Sequence, residues 1–301
     1  MIKVRHLKKS FAGLEAIENM QIHVKKGSIY GLLGSNGAGK TTFLKLISGI
    51  YLQDEGIVLL DEQPIFENPE VKRRLIFIQD IPFFLPQYTV KQMAQFYGSM
   101  YPNWDRERFK TLVAMFEMDI HKKIYRFSKG IQRQAAFILA LAAKPEMLIL
   151  DEPMDGLDPV MRKKIKALLI ADVAEREMTV LIASHNLKEV EDICDYVGIM
   201  HKGKMLIEKD LDDLKSDTHK IQVAFNSGSL IPKAMLENIK ILHKETRGSI
   251  HLLIVKGKYE VVAANIEKYH PVIFDMLPLT LEEIFLYEME DVGYAVENLL
   301  R

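Results

Sequence analysis

The stretch GSNGAGKTT, residues 34–42, decides the fold of this 301-residue chain. It has the spacing G-x-x-x-x-G-K-[ST] and lies between an apolar run, SIYGLL (28–33), and a helically patterned segment that opens near Lys40. Strand, glycine-rich loop, helix is the order in which a phosphate-binding loop is built. Gly34, Gly37 and Gly39 let the backbone turn its N–H groups toward an anion, and the start of the helix adds the positive end of its dipole. Lys40 then reaches the outer phosphates of a nucleotide, and Thr41 offers a hydroxyl to Mg²⁺. The whole loop, Gly34, Ser35, Asn36, Gly37, Ala38, Gly39, Lys40, Thr41 and Thr42, is the candidate nucleotide-binding segment. A glycine-rich turn that binds nothing is the competing reading, and the flanking strand and helix disfavour it.

A second element supports the first. EMLILDE (146–152) is an apolar strand that ends in two carboxylates. Asp151, at the strand end, suits a magnesium-bound water, and Glu152, one residue on, is free to orient or deprotonate an attacking water. Alone, an apolar run ending in acid is equally a structural strand; beside a phosphate loop it is a candidate catalytic edge.

Outward from these motifs, short β-branched runs alternate with helical patterns: IKVR (2–5), QIHV (21–24), IVLL (57–60), LIFIQ (75–79), TVLIAS (179–184), YVGIM (196–200) and KMLIE (204–208). The alternation implies an α/β chain with a largely parallel buried sheet and helices against it. Residues from about 80 to 145 are almost wholly helical in pattern, so the spacing predicts a helical insert, with YPNWDRERF (101–109) starting its second helix. After residue 215 the pattern changes to HKIQVAF, KILHKE and IHLLIV as strands and YEVVAANIEKY and LEEIFLYEM as helices, broken by NSGS (226–229) and TRGS. The expected domains are therefore 1–215 and a small α+β domain at 216–301. Leu281, Ile284 and Phe285 have the spacing of one buried helical face.

Lys plus Arg (40) nearly balance Asp plus Glu (41), so no overall field draws the chain to nucleic acid, and none is expected as a partner. The single cysteine, Cys194, excludes an internal disulfide and fits a reducing, cytoplasmic compartment. The longest apolar run, AAFILALAA (135–143), is about half a membrane span, and the N-terminus MIKVRHLKKSF lacks the apolar core of a signal peptide.

Five further stretches, in this order, make the chain resemble the nucleotide-binding subunits of ATP-binding-cassette (ABC) transporters over residues 1–215. They are Phe11 in KKSFAG, Gln79 in IFIQD, FSKGI (127–131), GLDP (156–159) and His185 in IASHNLKEVE. The resemblance implies a P-loop cassette: a parallel-sheet core with N-terminal antiparallel strands and a helical subdomain, here followed by the small α+β domain. It also implies roles. Phe11 would stack on adenine; Gln79 would help coordinate Mg²⁺ with Thr41 and Asp151 and report nucleotide state to a membrane partner. Glu152 would activate water, His185 would bridge it to the γ-phosphate, and Asp158 would contact an opposing cassette. Phe11 as an edge hydrophobe, Gln79 as a polar strand end, and Asp158 as a helix start are the plain alternatives.

FSKGI departs from the family's Leu-Ser-Gly-Gly-Gln at Phe127, Lys129 and Ile131, and keeps Ser128 and Gly130. Ser128 can cap the helix that follows, whose free N–H groups make an anion site. In the family two cassettes pack head to tail, so Ser128, Lys129 and Gly130 would face the partner's ATP. Lys129 points either at that nucleotide or to solvent. With one phosphate loop, the chain resembles a subunit that needs a second cassette, identical or homologous, and a polytopic membrane permease at the cytoplasmic face of the membrane. DIPFFLPQYTV (80–90) is the apolar stretch for the permease, or else the core of the insert. SKG signatures and a Leu-Glu-Glu-Ile-Phe helix are similar to bacterial ABC-2-type exporters of peptides, antibiotics or lipids. The alternative is a soluble ABC ATPase acting on ribosomes or DNA, which would carry two cassettes or a long coiled coil; neither pattern occurs here.

Overall fold

The structure, a computed structural model, describes residues 1–226, 231, 232, 235 and 239–291; of the NSGS turn only Asn226 falls within them. The chain divides into two compact units, Met1–Glu208 and Lys209–Arg301.

The first unit is built on two sheets. Strands β1 (Ile2–Phe11), β2 (Leu14–Val24), β4 (Glu55–Leu60) and β5 (Gln63–Pro64) form an antiparallel sheet in the order β2-β1-β4-β5. The β1–β2 hairpin turns at Ala12 and Gly13, both at positive φ, which suits the twist of a two-residue hairpin and leaves Phe11 at its tip.

The second sheet has the order β10-β9-β3-β8-β7-β6, from β3 (Ile29–Leu33), β6 (Leu75–Ile78), β7 (Met147–Asp151), β8 (Thr179–Ser184), β9 (Tyr196–His201) and β10 (Lys204–Asp210). Every residue of β3, β7 and β8 is buried, which is why these segments read as continuous apolar runs. Their pairing is parallel, and the register fixes one carboxyl edge: Leu33 opposes Ser184, Ala183 opposes Asp151, and Leu150 opposes Ile78. Gly34, His185, Glu152 and Gln79 are the next residues out of that edge, the usual place for a ligand in an open α/β sheet.

Helices cover the sheet. Helix α1 (Lys40–Ile47) follows β3, α2 (Pro69–Lys72) precedes β6, and α6 (Pro159–Arg176) and α7 (Leu187–Glu191) flank β8. Between β6 and β7 come α3 (Val90–Met100), α4 (Arg106–Met115) and α5 (Lys129–Ala142). Thr89 and Gln92 form a reciprocal capping box on α3, Asp105 caps α4 and Ser128 caps α5, so each start is set by a side chain visible in the sequence. From Ala135 onward α5 is buried to its end.

In the second unit α8 (Leu211–Ser216) leads into an antiparallel sheet of order β12-β13-β11-β14, from β11 (Thr218–Ala224), β12 (Lys240–Arg247), β13 (Ile250–Lys256) and β14 (Ile273–Leu277). Helix Tyr259–Glu267 lays Val262 and Ile266 on Ile221, Val223, Leu253 and Val255. Helix Leu281–Asp291 starts on a capping box in which Thr280 and Glu283 exchange bonds, and it buries Leu281, Ile284 and Phe285 as their spacing predicts. The unit begins at Lys209, earlier than the expected boundary at 215, because α8 packs with β11 and with that last helix. Strand β14 is absent from the sequence reading: none of its residues is fully buried, two adjacent ones, Asp275 and Met276, are exposed, and IFDML shows no clean alternation.

Candidate active site

A cleft of about 720 Å³ opens at the carboxyl edge of the parallel sheet, lined by Phe11, by the loop from Ser35 to Thr42, and by Asp80, Asp151 and Glu152. Gly39 is at φ 103° and a Cβ there would lie 2.6 Å from the Ala16 carbonyl oxygen, so the loop seats against β2 only as glycine. Leu14, Glu15, Ala16, Lys202 and Gly203 complete the wall from β2 and the β9–β10 turn, which the motifs had not pointed to.

Lys40 is buried at 6% exposure, and its ammonium donates to the carbonyls of Gly34 at 2.6 Å and Ser35 at 3.3 Å. It also lies 3.6 Å from Glu152 Oε1. Thr41 Oγ1 donates to Asp151 Oδ2 at 2.7 Å. Asp151 Oδ1 is buried with no partner, and burial pushes the carboxyl above its usual range despite the Thr41 hydrogen bond. A hard cation beside the Thr41 hydroxyl would satisfy that oxygen, so this donor pair fits Mg²⁺.

Glu152 emerges from β7 in the left-handed region, at φ 45°, a conformation that costs on the order of 1–3 kcal/mol for a residue with a side chain. Its backbone N–H donates to Ala183 O at 2.9 Å on β8. Its carboxylate Oε2 accepts from His185, with Nδ1 at 2.9 Å and the backbone N–H at 3.3 Å. A carboxylate, an imidazole and an ammonium thus converge beside a glycine-rich anion loop, an arrangement suited to activating water against a bound phosphate.

The other expected residues fall around or outside this cleft. Phe11 borders it, 41% exposed, with Tyr51 edge-on at 5.4 Å and the Lys9 ammonium 5.3 Å from its ring centroid. Gln79 is half-buried directly after β6, and its neighbour Asp80 borders the cleft. Asp158 caps α6, accepting from the N–H groups of Val160 at 2.9 Å and Met161 at 3.0 Å. Ser128 accepts from Ile131 N–H at 3.4 Å; Ser128 and Lys129 are exposed, and neither they nor Gly130 line the cleft.

The ABC transporter profile matches residues 17–155. Beyond it, the chain is 34% identical to the ABC transporter ATP-binding protein YtrB of Bacillus subtilis (strain 168), over 95% of this chain and 97% of that one. The chain belongs to the ABC transporter ATP-binding proteins. It is also 34% identical to the bacitracin transport ATP-binding protein BcrA of Bacillus licheniformis over 73% of each chain. The cassette fold is shared with the solved ATP-binding subunit of an ABC transporter, at TM-score 0.67 and 24% identity over 71% of this chain and 92% of that one. As a member of this ABC family the protein binds and hydrolyses ATP.

For this ABC subunit, motif reasoning missed Arg133. Its guanidinium is buried against the backbone after β7 and after β6. A signal existed: Arg133 stands three, four and seven residues before Ala136, Phe137 and Ala140, on the face of α5 that enters the core.

Proposed function

We propose that the chain is the ATPase subunit of an exporter, in which two cassettes close head to tail around ATP and drive a polytopic permease. The observation that carries this reading is the separation within one chain. Lys40, Thr41, Asp151, Glu152 and His185 meet at one sheet edge, while the capped, exposed start of α5 with Ser128, Lys129 and Gly130 lies outside that cleft. A capped, exposed helix start outside the cleft of its own chain suits the ATP of a second cassette.

In the proposed cycle Lys40 leaves the loop carbonyls for the β- and γ-phosphates, Thr41 and Asp151, with Gln79, would hold Mg²⁺, and Phe11 offers its exposed face to adenine. When bound there, Mg²⁺ would supply charge neutralisation for the phosphates. Glu152 takes the proton of the attacking water, and His185 keeps Glu152 aimed and contacts the γ-phosphate. Asp158 faces the second cassette across the closed pair.

For the permease, Ile81 at 75% and Phe83 at 72% exposure form an apolar patch directly after Gln79, where a cytoplasmic helix of a membrane protein would sit. Among the described residues no helix is long and apolar enough to cross a membrane, so attachment to the cytoplasmic face would run through this patch. The bacitracin relative supports an antibiotic, peptide or lipid-like cargo. No observation favours the ribosome- or DNA-acting alternative. The unit from Lys209 onward supplies none of the residues that line the cleft and is read as an accessory domain for dimerisation or regulation.

The test is the oligomeric state of the full chain by light scattering. Glu152→Gln should form a dimer with ATP and Mg²⁺ and hydrolyse it slowly. Adding Ser128→Arg should return it to monomer while ATP still binds. A Glu152→Gln variant that turns over rapidly, or stays monomeric with ATP, rejects the reading.

A further inference from the structure

Arg133 lies on the helix that Ser128 caps, yet its side chain serves the other end of the site. It is 6% exposed. One terminal nitrogen donates to the carbonyl oxygens of Glu152 and Asp155, each at 2.6 Å. The other donates to the Asp80 carbonyl and, at 2.8 Å, to Asp80 Oδ1. A planar fork is needed to reach carbonyls from two segments at once, which a lysine ammonium does not reproduce.

The recipient that matters is Glu152. Its backbone holds a left-handed φ of 45°, and both of its polar backbone groups are braced, the N–H by Ala183 of β8 and the carbonyl by Arg133 of α5 at 2.6 Å and, more loosely, by the Asp155 N–H at 3.3 Å. Strained backbone of this kind persists only where its surroundings over-determine it. The orientation of the Glu152 carboxylate therefore depends on α5 being seated.

We propose that Arg133 is a positioning residue: it holds the Glu152 peptide in its left-handed conformation, so that hydrolysis in a chain's own cleft depends on the seating of the helix that presents Ser128. This rests on the reading of Glu152 as the group that activates water.

The test uses the full chain with ATP and Mg²⁺. Arg133→Gln and Arg133→Lys should lower kcat on the order of 10- to 100-fold, the effect of a small displacement of a catalytic group. The Kd for MgADP by calorimetry should stay within roughly twofold, and adding Arg133→Gln to Glu152→Gln should change the single-turnover rate by less than roughly twofold, because the aimed carboxylate is already gone. If Arg133→Gln does not fold, Arg133→Lys, with its charge kept, carries the same expectations. Unchanged kcat in the foldable variant, parallel losses of kcat and MgADP affinity, or equal losses with and without Glu152→Gln would overturn the proposal. Glu152→Gln alone separates the two ideas. Fast turnover by that variant defeats the water-activation reading, whereas slow turnover beside a normal Arg133→Lys enzyme defeats only the positioning role.

Discussion

His185 Nδ1 lies 2.9 Å from Glu152 Oε2, and the backbone N–H of His185 donates to the same oxygen at 3.3 Å. One residue beyond the β8 edge thus holds one carboxylate oxygen of Glu152 through two donors, while Lys40 approaches the other oxygen at 3.6 Å. His185→Ala removes the imidazole and leaves the backbone bond. It should lower kcat on the order of 10- to 100-fold with little change in KM for ATP, since the loss is in aim rather than in binding. Steady-state ATPase assays check this, and an unaltered kcat would make the pairing a bystander.

Asp151 carries a buried oxygen without a partner and a carboxyl pushed up by burial, so the nucleotide-free protein bears the cost of a poorly solvated charge. Asp151→Asn keeps an acceptor for Thr41 and removes the charge. It should stabilise the nucleotide-free chain by on the order of 1 kcal/mol, about 2–4 °C in Tm for a chain of this class. The same change should abolish the extra stabilisation that Mg²⁺ adds to ATP binding. Thermal melts with ATP and EDTA against ATP and Mg²⁺ read both effects, and a variant that keeps its Mg²⁺ increment would remove Asp151 from the proposed metal site.

The glycine-rich loop and the strand ending in Asp151 were legible because short-range pattern and local structure coincide there: Lys40 begins α1 and Asp151 ends β7 as their flanking runs imply. Ser128 was legible for the same reason, as a capping side chain before an apolar helix. Arg133 and Asp80 were not, because Arg133 donates to carbonyls 19, 22 and 53 positions away and Asp80 accepts from that same guanidinium, which no local spacing encodes. Likewise, Leu14 and Lys202 join the cleft only through sheet assembly.

Gly130 packs against the backbone of Gly156. A Cβ at Gly130 would lie 2.7 Å from the Gly156 carbonyl oxygen, too close for either backbone to stay in place. Gly130→Ala should therefore destabilise the chain by about 1–3 kcal/mol through overpacking. Lys129, exposed one residue before, offers the contrast: Lys129→Ala should change stability by no more than about 0.5 kcal/mol. Urea denaturation of the two variants tests the pair, and equal small effects would show that the Gly130–Gly156 approach is slack. If Lys129 faces the second cassette's nucleotide, its substitution lowers ATPase activity at unchanged stability.

Cys194 is buried beside Gly31, where a Cβ would lie 3.0 Å from Sγ, and burial pushes its thiol far above the ordinary range. The folded thiol therefore stays protonated through the pH range in which an unfolded cysteine ionises, near ~8.5. Because the folded pKa is raised, the contribution of this group to stability is complete below the unfolded pKa and declines as pH rises above it, by about 1.4 kcal/mol per unit. Two outcomes follow. The native thiol should resist a disulfide reagent at pH 8 and react at the rate of unfolding in urea. Cys194→Ala should lose some stability at neutral pH from the missing sulfur, but fall less steeply than the unaltered chain between pH 8.5 and 9.5. Fast labelling of the folded protein, or parallel stability curves for the two chains over that interval, would show that Sγ is open to water.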